Sequence, residues 1–182
     1  MSSKGGAKIA IAVSGKAGGI RLSGRANVAC SVLFRELVEH LRSEPIDEIF
    51  LFLESCVVMD STFLGVLANL GLSGDSSAAS AGAGIKLVSP SDRVLDLIEN
   101  LGVLDAFDLL EREPEIQFAF QEVDQTKSGD LRETTRTSLE AHRTLIDLNE
   151  ANRSRFEGVT TLLEKELEGQ DSADSSSPEG TT

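Results

Sequence analysis

The sequence is poor in aromatic residues and in the side chains that most often perform chemistry. Its 182 residues include no Trp, no Tyr and eight Phe, so platforms that stack bases or sugars have little material. It has only two Cys and two His, and their positions do not match the spacing of a metal site. We therefore expect no metal, no cofactor and a mainly aliphatic core.

Positive charge is also scarce. The chain has 17 Lys and Arg against 30 Asp and Glu, which gives a formal net charge of -13. Nucleic acid and anionic membranes repel such a surface, so the expected partners are proteins. The sequence has neither a signal-like apolar run near its start nor an apolar run of membrane-spanning length. These features predict a cytoplasmic protein that binds no nucleic acid and inserts into no membrane.

Apolar runs and amphipathic segments alternate over residues 8–123, which predicts an α/β domain with a mixed β-sheet. The glycine-rich residues 14–19 indicate a hairpin turn between the first two strands. Residues 49–53 are apolar without alternation, as in a strand that is covered on both faces. Helices are predicted from Asn27, after Asp60 and from Ser89-Pro90-Ser91-Asp92, and final strands are predicted at 107–110 and 116–123.

The remainder of the chain is predicted to hold a linker, a helix and a tail. Polar residues 124–130 form the linker, and Asp130 is a plausible N-cap for a single long α-helix over residues 131–168. The apolar stripe of this helix is sparse, so we expect it to dock on the domain or to form a homodimer. Residues 169–182 are predicted to be a disordered tail, and the Ser-, Ala- and Gly-rich residues 73–84 a mobile loop.

Motifs of common enzymes do not fit. Ala10 stands where a phosphate-binding loop has its first Gly, and Ala17 where that loop has its Mg²⁺-binding hydroxyl. Ser61 lacks the glycines of a nucleophile elbow. Hydrolysis by Ser61 would need a His within hydrogen-bonding reach, and only His40 and His142 could serve. We therefore predict that the chain is not an enzyme.

Residues 59–62 join the end of an apolar run to the start of a helix. Backbone N–H groups without partners and the positive end of the helix favour an oxygen acceptor at this point. Ser61 could provide it as a helix cap, with Asp60 sharing the work. The same position also suits a phosphate on Ser61, because the added charge would act on a partner and leave the core undisturbed.

The segment around Ser61 resembles the motif of the STAS domain, the fold of anti-sigma-factor antagonists. That family carries Asp-Ser-Ser/Thr-Gly-Leu/Ile-Gly after a central apolar strand, and this sequence reads Asp60-Ser61-Thr62-Phe63-Leu64-Gly65. Residues 50–53 and 85–102 extend the resemblance over about residues 8–123. It implies helices on one side of the sheet, with Ser61 as the phosphoacceptor and Thr62 in reserve.

The resemblance also implies a regulatory function. In that family the unphosphorylated protein binds an anti-sigma factor, which phosphorylates it as a serine kinase, and a phosphatase resets it. The partner would contact the start of the helix that follows the motif Asp. The residues implied in this contact are Asp60, Thr62, Phe63, Leu64, Val66 and Leu67.

Phe63 departs from the family motif, which has Gly at this position. We expect its ring to lie at the surface beside Ser61. An exposed aromatic residue on a contact helix is typical of a permanent interface anchor. It therefore favours an alternative function as a STAS scaffold subunit that is never phosphorylated, in a signalling complex or a lipid-transport ATPase.

Overall fold

The structure is a computed structural model, and it describes residues 6–74, 84–125 and 130–174. Within these ranges seven strands and five α-helices are formed. The strands are β1 (Lys8–Ser14), β2 (Ala17–Ala26), β3 (Glu48–Phe52), β4 (Cys56–Met59), β5 (Gly84–Val88), β6 (Asp108–Leu110) and β7 (Gln121–Glu122). The helices are α1 (Val28–Ser43), α2 (Ser61–Gly74), α3 (Asp92–Asn100), α4 (Leu131–Leu148) and α5 (Arg153–Asp174).

The strands form one mixed sheet in the order β6-β5-β3-β2-β1-β7, and β4 pairs with the end of β2. Strands β2, β3, β5 and β6 run parallel to their neighbours in this series, whereas β1 pairs antiparallel with both β2 and β7. The two parallel pairings of β3 place it at the centre of the sheet. The predicted mixed α/β sheet is confirmed.

Helices α1, α2 and α3 pack on one face of this sheet, as predicted, and α4 packs against α1 and α2. Phe34 of α1, Leu67 of α2 and Ile98 of α3 belong to the same buried apolar cluster as the sheet residues facing them. On the opposite face, Phe50 and Phe52 of β3 are also buried, but they are covered by a segment without helix. Because β3 is covered on both faces, its continuous apolar run is explained.

The segment over the second face corrects the predicted strand 116–123. Its ladder with β1 is limited to Gln121–Glu122, and Val123 N adds one hydrogen bond to the Ile9 carbonyl oxygen at 2.8 Å. Before them, Ile116, Phe118 and Phe120 pack against the sheet, and the rings of Phe118 and Phe120 lie 5.6 Å apart. Residues 116–120 therefore form a covering segment and not a paired strand.

The opening turn is shorter than residues 14–19. Gly15 adopts a φ of 62° and, with Lys16, connects β1 to β2. Gly19 lies inside β2, where a Cβ would stand 2.9 Å from the Phe118 ring. This glycine provides space for a ring and has no role in the turn.

The predicted single helix over residues 131–168 is wrong. Helix α4 ends at Leu148, a 3₁₀ turn at Glu150–Asn152 reverses the chain, and α5 begins at Arg153. We call α4, this turn and α5 the helical hairpin. The extended backbone of Asn149 ends α4, and its side chain accepts a hydrogen bond from Ala151 N, 3.1 Å away.

The other boundaries also differ from those predicted. The expected long C-terminal helix is α5, and it continues to Asp174, so the predicted start of a tail at residue 169 is wrong. Residues 175–182 lie outside the described residues. The same holds for residues 75–83 of the predicted loop and 126–129 of the predicted linker.

The turn of the helical hairpin is attached to the C-terminal end of α3. The buried Asn152 side chain donates from Nδ2 to the carbonyl oxygens of Leu101, at 2.9 Å, and Leu145, at 2.8 Å. Arg155 donates to the carbonyl oxygen of Asn100 at 3.3 Å. The carbonyls of Asn100 and Leu101 stand at the end of α3, where helical partners are missing, so these bonds satisfy them. In this structure the helical hairpin docks on its own domain.

Candidate functional site

Asp60 connects β4 to α2 and caps two helices at once. Its Oδ1 accepts a hydrogen bond from Phe63 N at 2.8 Å, in the first turn of α2. Its Oδ2 accepts one from Val28 N at 3.0 Å, the first residue of α1. The N-termini of both helices therefore converge on one carboxylate, which suits their positive ends. The cap of α2 is Asp60, and the Ser61 hydroxyl is left for another partner.

That partner is His142 on α4. Ser61 Oγ lies 2.9 Å from His142 Nε2, and His142 Nδ1 lies 2.7 Å from the carbonyl oxygen of Ser138. A carbonyl only accepts, so Nδ1 carries the ring proton and Nε2 accepts from the Ser61 hydroxyl. Ser61 is partly exposed, whereas only 5% of His142 is exposed. The condition set for a reactive Ser61, a His within reach, is met in the folded chain.

The environment of His142 favours its neutral form. Burial lowers its pKa, and this effect exceeds the opposing effects of the Ser138 carbonyl and the Asp60 charge. The ring also packs against Phe156 of α5, with ring centroids 5.0 Å apart. His142 is therefore held as a neutral acceptor by both helices of the helical hairpin.

The contact between α2 and α4 continues along one face of α2. Thr62 Oγ1 lies 3.0 Å from Ser138 Oγ, and Asn69 Nδ2 donates to Thr144 Oγ1 at 3.3 Å. Between these bonds, a Cβ built on Gly65 would stand 2.3 Å from the carbonyl oxygen of Ala141. The last glycine of the motif is therefore where the α4 backbone crosses α2.

An ion-pair cluster joins the first turns of α4 to α1. Arg35 of α1 lies 3.5 Å from Glu133 and 3.5 Å from Glu140. The Arg35 side chain is 25% exposed, so the pairs are only partly screened by solvent. Together with the α2 contacts, they place α4 across the α1–α2 side of the domain.

The expected surface position of Phe63 is wrong. Phe63 has no exposed surface, and its ring packs against Phe34 with centroids 4.8 Å apart. Two residues along an α-helix correspond to roughly 200° of rotation, so Phe63 points away from Ser61 and into the core.

The remaining residues of the implied partner contact are also placed by the helix. Leu64 and Leu67 are fully buried, whereas Thr62 and Val66 keep only 6% and 5% of their surface exposed. Among the implied contact residues, Asp60 is the one that is not buried. The other five members of the set are buried in this structure and offer little surface to a partner.

Other reactive groups do not form a second site in the described residues. Burial raises the pKa of the Cys30 thiol to about 11 and also raises that of Cys56, so both thiols are poor nucleophiles at neutral pH. Over the described ranges, His, Cys, Asp and Glu side chains form no group of three suited to a metal ion. None of the described helices is both long enough and apolar enough to span a membrane.

Comparison with known proteins gives a structural match only. The sequence matches no protein-family model and no curated protein. The crystal structure of an anti-sigma factor antagonist from Mycobacterium paratuberculosis matches with a TM-score of 0.50 and 13% identity, covering 61% of this chain and 91% of that chain. The anti-sigma factor antagonist SpoIIAA in its unphosphorylated form matches with a TM-score of 0.46 and 19% identity, covering 56% and 87%.

The first of these matches takes in nearly the whole of its neighbour but leaves a large part of this chain unmatched. The element order of residues 8–123, with helices on one side of a mixed sheet, accounts for such a likeness. The α/β domain of this chain therefore has the same fold as that anti-sigma factor antagonist from Mycobacterium paratuberculosis.

Proposed function

We propose that the chain is a cytoplasmic, non-enzymatic binding module that acts as an anti-sigma-factor antagonist. Its partner would be an anti-sigma factor with serine kinase activity, and a phosphatase would reset it. The supporting observation is that Asp60 caps α2, which leaves the partly exposed Ser61 hydroxyl free of a capping role. Thr62, the reserve acceptor, is buried and bonded to Ser138, so Ser61 is the favoured acceptor.

The surroundings of Ser61 suit a phosphate. In the transfer, the Ser61 oxygen bonds to the γ-phosphorus of ATP, the bond to ADP breaks, and the hydroxyl proton passes to a base of the kinase. The product dianion would lie at the N-terminus of α2 and near that of α1, where positive helix ends stabilise it. The phosphate would also add negative charge next to the Asp60 carboxylate. This added charge would repel a partner whose surface fits the unphosphorylated form.

Intact mass spectrometry tests this assignment. Incubation of the full chain with ATP and its cognate kinase should add one phosphate to the wild type and none to Ser61→Ala. Thr62→Ala, the matched control, should accept phosphate because it keeps the Ser61 hydroxyl. A wild type that stays unmodified, or a Ser61→Ala variant modified to the same extent, would exclude the switch.

The alternative function as a permanent STAS scaffold subunit depended on an exposed Phe63. Since the ring is fully buried against Phe34, it offers no anchor to a partner. The observation that favoured a scaffold in a signalling complex or a lipid-transport ATPase therefore no longer supports it.

Hydrolysis is a second candidate function, because Ser61 and His142 form a nucleophile–base pair at 2.9 Å. However, α4 both provides His142 and packs along the α2 face around Ser61. Ser61 and His142 are paired only while α4 covers this face of α2. A substrate would therefore have to reach Ser61 when α4 leaves the least room for it. A phosphoacceptor needs no His142 and is free to react when α4 is displaced.

A further inference from the structure

Helix α4 occupies the face of α2 that carries Ser61, the residue at which the proposed function places the switch. The contacts follow Ser61, Thr62, Gly65 and Asn69, which recur at helical spacing on one side of α2. The helical hairpin is joined to the domain through residues 124–130, after β7. The chain therefore carries, within itself, an occupant for its own partner-binding face.

The chemistry of this contact suits a reversible one. Its hydrogen bonds link hydroxyl, imidazole and amide groups, and water can replace each of these partners when the helices separate. The contact also has an apolar part, in which Ala141 and Leu145 of α4 are buried in the main core. On its other side α4 contacts α5, where Arg143 pairs with Glu164 at 2.7 Å. The helical hairpin thus has internal contacts that persist when it leaves α2.

We propose that the helical hairpin is an intramolecular gate: it closes over the Ser61 face and must swing away before a partner binds there or a kinase modifies Ser61. This inference rests on the proposed function. The partner that it fits presents a helix like α4, with small and hydroxyl side chains that allow its backbone to approach Gly65 closely.

Phosphorylation would also hold the gate open. Ser61 Oγ and His142 Nε2 are separated by 2.9 Å, which leaves no room for a phosphoryl group between them. His142 has little freedom to retreat, because the Ser138 carbonyl holds one side of the ring and Phe156 packs against it. A chain phosphorylated at Ser61 therefore cannot close in the arrangement described.

The gate is tested by chemical labelling in the full chain, without any partner. Ser61→Cys places a partly exposed thiol against His142 of α4, and its reaction with a maleimide is followed by mass spectrometry of peptides. Combining it with Gly65→Ala should accelerate labelling at position 61 by roughly tenfold, because the new Cβ would overlap the Ala141 carbonyl. Gly158→Ala is the matched control, since nothing lies within 4 Å of that helical glycine.

The buried Cys30 and Cys56 report on the integrity of the domain in the same sample. Opening of the gate labels position 61 and spares both, whereas unfolding labels all three. If Gly65→Ala unfolds the chain, Asn152→Ala replaces it, because it releases the turn of the helical hairpin from α3. The gate would be overturned if position 61 were labelled at the same rate in Gly158→Ala and in the folded variant designed to open it, Gly65→Ala or Asn152→Ala.

The remaining outcomes separate the gate from the proposed function. In a dimer that exchanges its helical hairpins, dilution would separate the two copies and accelerate labelling at position 61. That result would show that α4 of a second copy covers Ser61, and it would overturn the intramolecular gate. With the gate supported, the cognate kinase should phosphorylate Asn152→Ala faster than the wild type, because this variant loosens the helical hairpin and leaves the Gly65 surface unchanged for the kinase. If neither accepts phosphate although labelling shows an exposed position 61, the proposed function fails and the gate stands.

Discussion

Asp60→Ala is expected to lower the free energy of unfolding by about 2 to 4 kcal/mol, because each lost bond from a backbone N–H to a carboxylate contributes about 1 to 2 kcal/mol. The carboxylate bonds both Phe63 N and Val28 N, so α1 and α2 lose a cap together. Asp60→Asn keeps one acceptor oxygen and should cost roughly half as much. Urea unfolding followed by circular dichroism measures all three proteins.

Asp130 provides the matched control for this double cap. It caps α4 alone, through one bond to Glu133 N at 2.8 Å, and it is exposed. Asp130→Ala should therefore cost only about 1 kcal/mol. If Asp60→Ala and Asp130→Ala lowered the free energy of unfolding equally, Asp60 would not stabilise two helices. The convergence of the two helix N-termini on the Asp60 carboxylate would then be contradicted.

Phe63→Ala is expected to lower the free energy of unfolding by about 3 to 5 kcal/mol, the usual range for a fully buried phenyl ring. The loss combines the transfer of the ring to water with a cavity beside Phe34, its partner at 4.8 Å. The denaturation midpoint should fall in proportion, with an unchanged dependence on urea concentration.

Val57→Ala is the control for the Phe63 variant, because Val57 is 58% exposed on β4. It should change stability by no more than about 0.5 kcal/mol. If Phe63→Ala were as stable as Val57→Ala, the Phe63 ring of the wild type would have to be exposed. That is the position expected from the motif, which has Gly in place of Phe63. This result would also revive the scaffold alternative.

Local patterns predicted the domain well because its elements are determined by neighbouring residues. Asn27 and Asp130 cap helices where the sequence indicated, since a capping side chain bonds a backbone only two or three residues away. The continuous apolar run of β3 correctly predicted a strand that is buried on both faces. Gly19 was wrongly predicted to lie in the turn, because its small size makes room for a ring 99 positions later in the chain.

The site was predictable only in part. Ser61 and Asp60 were found because the motif is contiguous, but His142 lies 81 residues away and has no sequence spacing that links it to Ser61. The break between α4 and α5 did leave a signal. Asn149 is a typical N-cap, and its side chain does cap the turn that reverses the chain. Recognising that cap would have predicted two antiparallel helices, though not the face on which they dock.

Docking of the helical hairpin should weaken on acidification. The pKa of His142 in the folded chain lies below its ordinary value of 6.5, so the folded chain binds a proton less readily than the unfolded one. The contribution of neutral His142 to stability is therefore complete above about pH 6.5 and is lost as the pH falls towards and through the folded pKa. The protonated ring also cannot accept the Ser61 hydrogen bond.

Long-range proton–nitrogen NMR of the imidazole rings tests most directly whether Ser61 is held by His142. We expect His142 to carry its proton on Nδ1, to titrate below pH 6.5, and to change its Nε2 shift in Ser61→Ala. A proton on Nε2, or a His142 signal that is the same in the wild type and in Ser61→Ala, would contradict the closed arrangement.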